Sequence, residues 1–170
     1  MFDAVEKTSV TPRRVQRQPG VCPSSGPVPA RPLYVVGAVR GQFRAFLRLL
    51  DRIEAESASA HRSNAAIVLL GDLVWGRESG LLLATLRQAE IAADGQIAVL
   101  MGRRDRLLLD FLDNPPFVGA EWLQSGGRVL LDEFGIPLGA DVTAKALRDA
   151  AERVRAALGI AETKWLRRRP

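Results

Sequence analysis

Three times in this chain a short apolar run ends on a glycine and breaks into a polar loop. Leu33–Tyr34–Val35–Val36 runs into Gly37–Ala38–Val39–Arg40–Gly41, Ile67–Val68–Leu69–Leu70 into Gly71–Asp72, and Ile97–Ala98–Val99–Leu100–Met101 into Gly102–Arg103–Arg104–Asp105. Gly37, Gly71 and Gly102 stand 34 and 31 residues apart. Short apolar runs closed by glycine read as buried strands, and each interval is long enough for one helix. Strands alternating with helices give a parallel sheet with right-handed crossovers. Strands apolar along their whole length agree, because parallel strands are normally covered on both faces. The expected fold is α/β, a parallel three-stranded sheet with flanking helices. Ligands of such open sheets sit beyond the carboxyl ends of the strands, so the three loops are expected to meet at one site.

The helical patterns fill the gaps. Phe43, Phe46, Leu47, Leu50 and Ile53 share one face of a helix predicted over 42–56, with Arg44, Arg48, Asp51, Arg52 and Glu54 opposite. A second helix is predicted over 78–90, with Leu82, Leu83 and Leu86 inward. After the third strand, a helix over 105–112 should end at Asn114–Pro115–Pro116. The stretch 121–134 reads as helix broken at Gly126–Gly127. A last long helix, capped by Asp141, carries Val142, Ala146, Ala150, Val154 and Leu158 on one face and stops at Gly159. Trp122 and Trp165 read as core or interface anchors; Trp165 and Leu166 fall beyond the last predicted element.

Residues 1–31 hold Pro12, Pro23, Pro27 and Pro29 with no sustained apolar period, which suits a disordered or loosely docked basic tail and leaves 32–170 as the domain. No apolar run approaches the roughly 18 residues of a membrane span, and the first residues lack the long apolar core of a secretory leader. The single Cys22 cannot close an internal disulfide. These features point to a cytoplasmic protein. His61 lies in the polar connector 57–64, far in sequence from the strand ends, and is expected on the surface.

Net charge is +5, concentrated at Arg13, Arg14 and Arg17 and at Arg167–Arg168–Arg169, which read as solvated tails. Salt-sensitive attraction to polyanions stays open. No aromatic residues interleave with these arginines, so specific nucleic-acid recognition lacks a stacking platform.

The loops at this spacing resemble those of the calcineurin-like metallophosphoesterases. The nearest branch is the bacterial serine/threonine phosphatases, which includes diadenosine tetraphosphate hydrolases. That family's pattern is Gly-Asp-x-His-Gly, then Gly-Asp-x-x-Asp-Arg-Gly, then Gly-Asn-His-Asp or -Glu. The flanks also match: Gln42–Phe43, Glu78–Ser79 and Trp122–Leu123–Gln124–Ser125–Gly126–Gly127. The resemblance runs from about Leu33 to Gly135. It implies an αβ sandwich of which this chain holds the N-terminal half. It also implies two divalent ions, such as manganese, iron or zinc, activating a water at the strand ends. With the second half absent, apolar surface is expected on the sheet or the last helices, covered by a second copy or a protein partner.

Residue by residue, the resemblance keeps the scaffold and changes the chemistry. Ala38 and Arg40 stand at the first loop's Asp and His positions. Asp72 matches the carboxylate that bridges both metals, and Trp75–Gly76–Arg77 stands where Asp-Arg-Gly is expected. Arg103 occupies the metal-binding Asn position and Arg104 the catalytic His position, while Asp105 matches the residue that orients that His. A guanidinium has no lone pair for a metal and stays protonated, so no cofactor is expected. Arg40, Arg77, Arg103 and Arg104 should gather near Asp72 and Asp105. An arginine could replace the metals by pairing with Asp72, or the group could form a metal-free pocket for a phosphorylated or other anionic ligand. The function expected is a catalytically inactive phosphatase-like module that binds an anion or a protein. A phosphoesterase with residual metal-dependent activity and a basic polyanion-binding protein are the alternatives. Trp75 is expected to pack at the loop, with covering the former site or facing a partner as the alternatives. Ser79, Ser125 and Thr143 have no histidine base nearby in sequence, so a hydrolase triad is not supported.

Overall fold

In the computed structural model, residues 32–59 and 65–170 are described; the expected tail 1–31, Cys22 and His61 lie outside them. Leu33–Val36 (β1), Ala66–Leu69 (β2) and Ile97–Val99 (β3) pair in parallel in the order β1-β2-β3. Val36 sits beside Leu69, and Leu69 beside Val99. Helices α1 (Phe43–Ser59) and α2 (Ser79–Ala92) make the two crossovers. Right-handed crossovers through strands laid down in sequence order place both helices on the same face.

The side chains divide accordingly. Val36, Leu69 and Val99 are buried in the core, with Tyr34, Ile67 and Ile97 packed against it. Of the alternate residues, Leu33, Val35, Leu70 and Ala98 are exposed, Val68 is half-buried and the small Ala66 is buried. Among the described residues the sheet is therefore covered on one face only. This corrects the expectation, drawn from strand composition, of two covered faces, and it puts on the sheet the apolar surface expected there or on the last helices; crossovers in one direction supply helices to one side.

The rest of the chain is helical: α3 (Arg103–Asp113), α4 (Pro115–Trp122), a wider π-type turn (Leu123–Gly127), α5 (Arg128–Glu133), α6 (Ala144–Leu158) and α7 (Ile160–Arg167). Pro115–Pro116 both close α3 and open α4, because a first-turn nitrogen needs no intrahelical partner. The break in 121–134 falls at Gly126, with φ 102°. Trp122 is fully buried and stacks on Phe111, ring centroids 3.8 Å apart.

Two expectations near the C-terminus change. Thr143, not Asp141, caps α6, its Oγ1 accepting from Ala146 N at 3.2 Å; Val142 precedes the cap and is exposed. Gly159, at φ 89°, ends α6, and α7 starts at once, giving Trp165 and Leu166 a buried position. Trp165 Nε1 donates to Glu90 at 2.7 Å.

The arginines that follow are not all solvated. Arg167 pairs with Asp113 at 2.7 Å. Arg169 pairs with Glu90 and lies over the Trp165 ring at 4.8 Å. A basic run at the end of a helix that docks beside acidic helix ends finds partners that linear sequence does not show.

The Arg167 hydrogen bonds hold the Asp113 carboxyl below its ordinary value. A depressed carboxylate stabilises the fold above its unfolded pKa and loses that contribution as pH falls through the folded value. Asp113→Asn should therefore flatten the acid limb of the stability curve, measured by urea unfolding between about pH 5 and pH 2. No described helix is long and apolar enough to cross a membrane.

Candidate functional site

The three loops meet backbone to backbone. Arg40 N donates to Asp72 O at 2.9 Å and Gly41 N to Leu73 O at 2.7 Å, which joins the first loop to the second. The second and third loops touch at Gly71 and Gly102, where a Cβ on Gly71 would overlap the Gly102 backbone. Gly76 packs in the same way against the Arg40 carbonyl and Gly41. Arg40 and Asp72 both sit at φ 53°. Non-glycine residues in this left-handed region carry strain of about 1 kcal/mol or more, sustained by the surrounding contacts.

Asp72 stands at the centre. Its Oδ1 accepts from Arg104 N at 3.0 Å, in the first turn of α3, where the helix dipole favours an anion. Its Oδ2 lies 4.0 Å from Arg104 Nε. The Arg104 guanidinium lies over the Trp75 ring at 4.8 Å, a cation–π contact. Trp75 in turn packs on Gly126, where any side chain would strike the indole.

Asp105 is fully buried behind this pair. Its Oδ1 accepts from Leu73 N at 2.8 Å and Val74 N at 3.1 Å, and its Oδ2 from Gly102 N at 2.9 Å. Burial pushes its pKa above the ordinary value, against the pull of the three N–H bonds, and the neighbouring Asp72 charge raises it further. It ties the second loop to the start of α3.

Two residues outside the expected set complete the loop network. Buried Ser79 accepts from Trp75 N at 3.1 Å and Gly76 N at 3.2 Å, and donates to Gly76 O at 3.0 Å. Both oxygens of Glu133 cap α2, accepting from Ser79 N at 3.0 Å and Gly80 N at 2.9 Å. Ser79 had a local signal, a hydroxyl following a glycine loop at a helix start. Glu133 had none, since it acts across more than fifty residues of chain. Glu133→Ala should cost about 1–2 kcal/mol, the loss of an anionic cap. Glu133→Gln should recover part of it, as read by chemical denaturation.

Of the expected site residues, Asp72, Arg104 and Asp105 come together, and Arg40 and Arg77 rise from touching loops at their rim. Both rim arginines are exposed, and neither guanidinium has a hydrogen bond or ion pair with another described residue. Arg103 does not join them. Its side chain is 86% exposed and lies 3.8 Å from Glu121, because consecutive residues in the first turn of α3 project about 100° apart. Ala38 lines a shallow groove of 280 Å³ with Gln42, Ala45 and Phe46.

The donor set does not fit a dinuclear metal centre. Ala38, Arg40, Arg103 and Arg104 offer no side-chain lone pair suited to a cation. One Asp72 oxygen is committed to α3, and both Asp105 oxygens face backbone N–H groups. No group of three or more His, Cys, Asp or Glu side chains able to hold a metal gathers among the described residues. Comparison with protein-family models, with curated proteins and with solved structures finds no match to this chain.

Proposed function

We propose that this chain is a metallophosphoesterase-like module that binds a phosphate or another small anion and does not hydrolyse it. The observation that carries the proposal is the placement of Arg40 and Arg77. They stand on two loops that touch through Gly76 and the Arg40 carbonyl, exposed and without a described carboxylate partner. Guanidinium forks bind phosphate oxygens in pairs. Asp72 beside them does not repel an anion with its full charge, because Arg104 and the N-terminus of α3 already answer it.

The same contacts argue against turnover. Hydrolysis needs a base or a metal to make a nucleophile of water. Asp72 and Asp105 are engaged with backbone donors, and Arg104, at the position of the family's catalytic His, holds its proton at any ordinary pH. The module works without a cofactor, in the cytoplasm.

Titration calorimetry at low salt, with inorganic phosphate and phosphoserine as probes, tests this. Arg40→Ala and Arg77→Ala should each weaken binding about tenfold, the scale of one charge-assisted contact. Manganese-supplemented protein should leave an aryl phosphate intact. Metal-dependent turnover that Asp72→Ala abolishes would make the chain an enzyme. Steeply salt-dependent nucleic-acid binding indifferent to both arginines would make it a polyanion-binding protein.

A further inference from the structure

We propose that a second copy of this chain docks on the open edge of β1 and continues the sheet across a twofold axis. The proposal is independent of the anion site. Among the described residues no strand pairs with the far side of β1. Ala66 N donates to Pro32 O at 2.8 Å and Leu70 N to Val36 O at 2.9 Å. The residues between alternate, so the peptide groups of Leu33 and Val35 face outward, unpaired by β2. Leu-Tyr-Val-Val is a strong strand former, and β1 has no charge, proline or bulge within it to guard its edge.

Among the described residues, the space beside that edge is also open. A groove of 190 Å³ runs between β1 and α1, lined by Tyr34, Val36, Leu49, Arg52, Ile53 and Glu56. It shares Val36 and Leu49 with the 280 Å³ groove at Ala38.

Self-complementarity selects a second copy as the occupant. In antiparallel pairing about Val35, each Val35 exchanges two backbone hydrogen bonds with its counterpart. Each Tyr34 then faces Val36 of the other copy, an aromatic–β-branched pair of the kind that stabilises sheets. A twofold axis normal to the sheet keeps both α1 helices on one face, antiparallel and about two strand spacings, roughly 10 Å, apart. That is the separation of packed helices. Arg52 and Glu56 are both exposed on the groove wall. Two copies bring them into a quartet of two arginines and two glutamates with no net charge. For a chain of net charge +5, a neutral and complementary contact is what lets like bind like. An unrelated extended peptide could take the edge hydrogen bonds but would not match this charge pattern.

Sedimentation velocity on the full chain over a range of concentrations tests the proposal. Wild type should show a concentration-dependent dimer. Arg52→Glu puts four carboxylates in the quartet and should weaken the dimer at least tenfold. The swap Arg52→Glu/Glu56→Arg should restore it. Both positions are exposed, so the monomer fold should be unaffected, as circular dichroism will show. Val35→Pro should also weaken the dimer by removing an edge donor; should that variant not fold, the charge swap decides alone. A monomer at every concentration, or a dimer indifferent to Arg52→Glu, would overturn the proposal. So would a dimer lost in Ala98→Lys but intact in Arg52→Glu, which would place the contact on the uncovered sheet face.

Discussion

Asp105→Ala should lower the unfolding free energy by about 4 kcal/mol, the combined cost of two buried N–H groups and one half-buried one left without acceptors. The Leu73, Val74 and Gly102 nitrogens all donate to this one fully buried carboxylate. Asp105→Asn should cost less, about 1–2 kcal/mol. Its oxygen can still serve Leu73 and Val74, while its amide nitrogen meets the Gly102 donor.

The two variants also differ from wild type in pH response. Burial raises the folded pKa of Asp105 above its unfolded value. The folded state then holds the extra proton in the window between the two values. Asp105 favours folding most below its unfolded pKa, and that contribution is lost as pH rises through the folded one. Asp105→Asn should remove this decline, an effect opposite in sign to that of Asp113→Asn. Urea unfolding across the weakly acidic range measures both. An Asp105→Ala protein as stable as wild type would mean the carboxylate does not hold the loops.

Gly71→Ala should cost about 3 kcal/mol or more and loosen the site. Gly71 sits at φ 86°, and a Cβ there would fall closer than 3.0 Å to the Gly102 backbone. Left-handed strain contributes about 1 kcal/mol, and overpacking against a backbone that cannot rotate away contributes the rest. Gly37→Ala is the internal control: it has φ outside the left-handed region and no atom within 4 Å of the added carbon. It should change stability by less than about 0.5 kcal/mol. Thermal or urea melts of the two variants side by side make the comparison. Equal stability of both would mean that the second and third loops are not packed together.

The sheet was legible in the sequence because its signal is local. Four apolar residues and a glycine announce β1, and the same device announces β2 and β3, each within one or two residues of its bounds. Most of the helix faces were legible for the same reason, as was the break at Gly126, but Leu47 of the face predicted for α1 is exposed, and α4 starts at the prolines that were read only as a stop. What escaped was set by contacts between segments distant in sequence. The α7 helix follows Gly159 without a loop and is held by Glu90 and Asp113, far upstream. Glu133 caps a helix that starts 54 residues earlier. The uncovered sheet face could not be read from strand composition, because apolarity on both sides says what a strand can bury against and not whether anything lies there.

In the candidate site, loop convergence and the pairing of Asp72 with an arginine could be anticipated. The choice of Arg104 over Arg103 could not: it depends on which residue of the first turn of α3 points back over Trp75. Asp105 was expected to orient a neighbour, yet it serves three backbone nitrogens.

The central claim is that a guanidinium, and not a divalent cation, stands against Asp72. Crystals of the full chain grown with excess manganese, with diffraction collected at the manganese absorption edge, test it most directly. The account predicts continuous density for the Arg104 side chain between Asp72 and Trp75 and no anomalous peak among the three loops. Two anomalous peaks bridged by the Asp72 carboxylate, with Arg104 swung away, would contradict it.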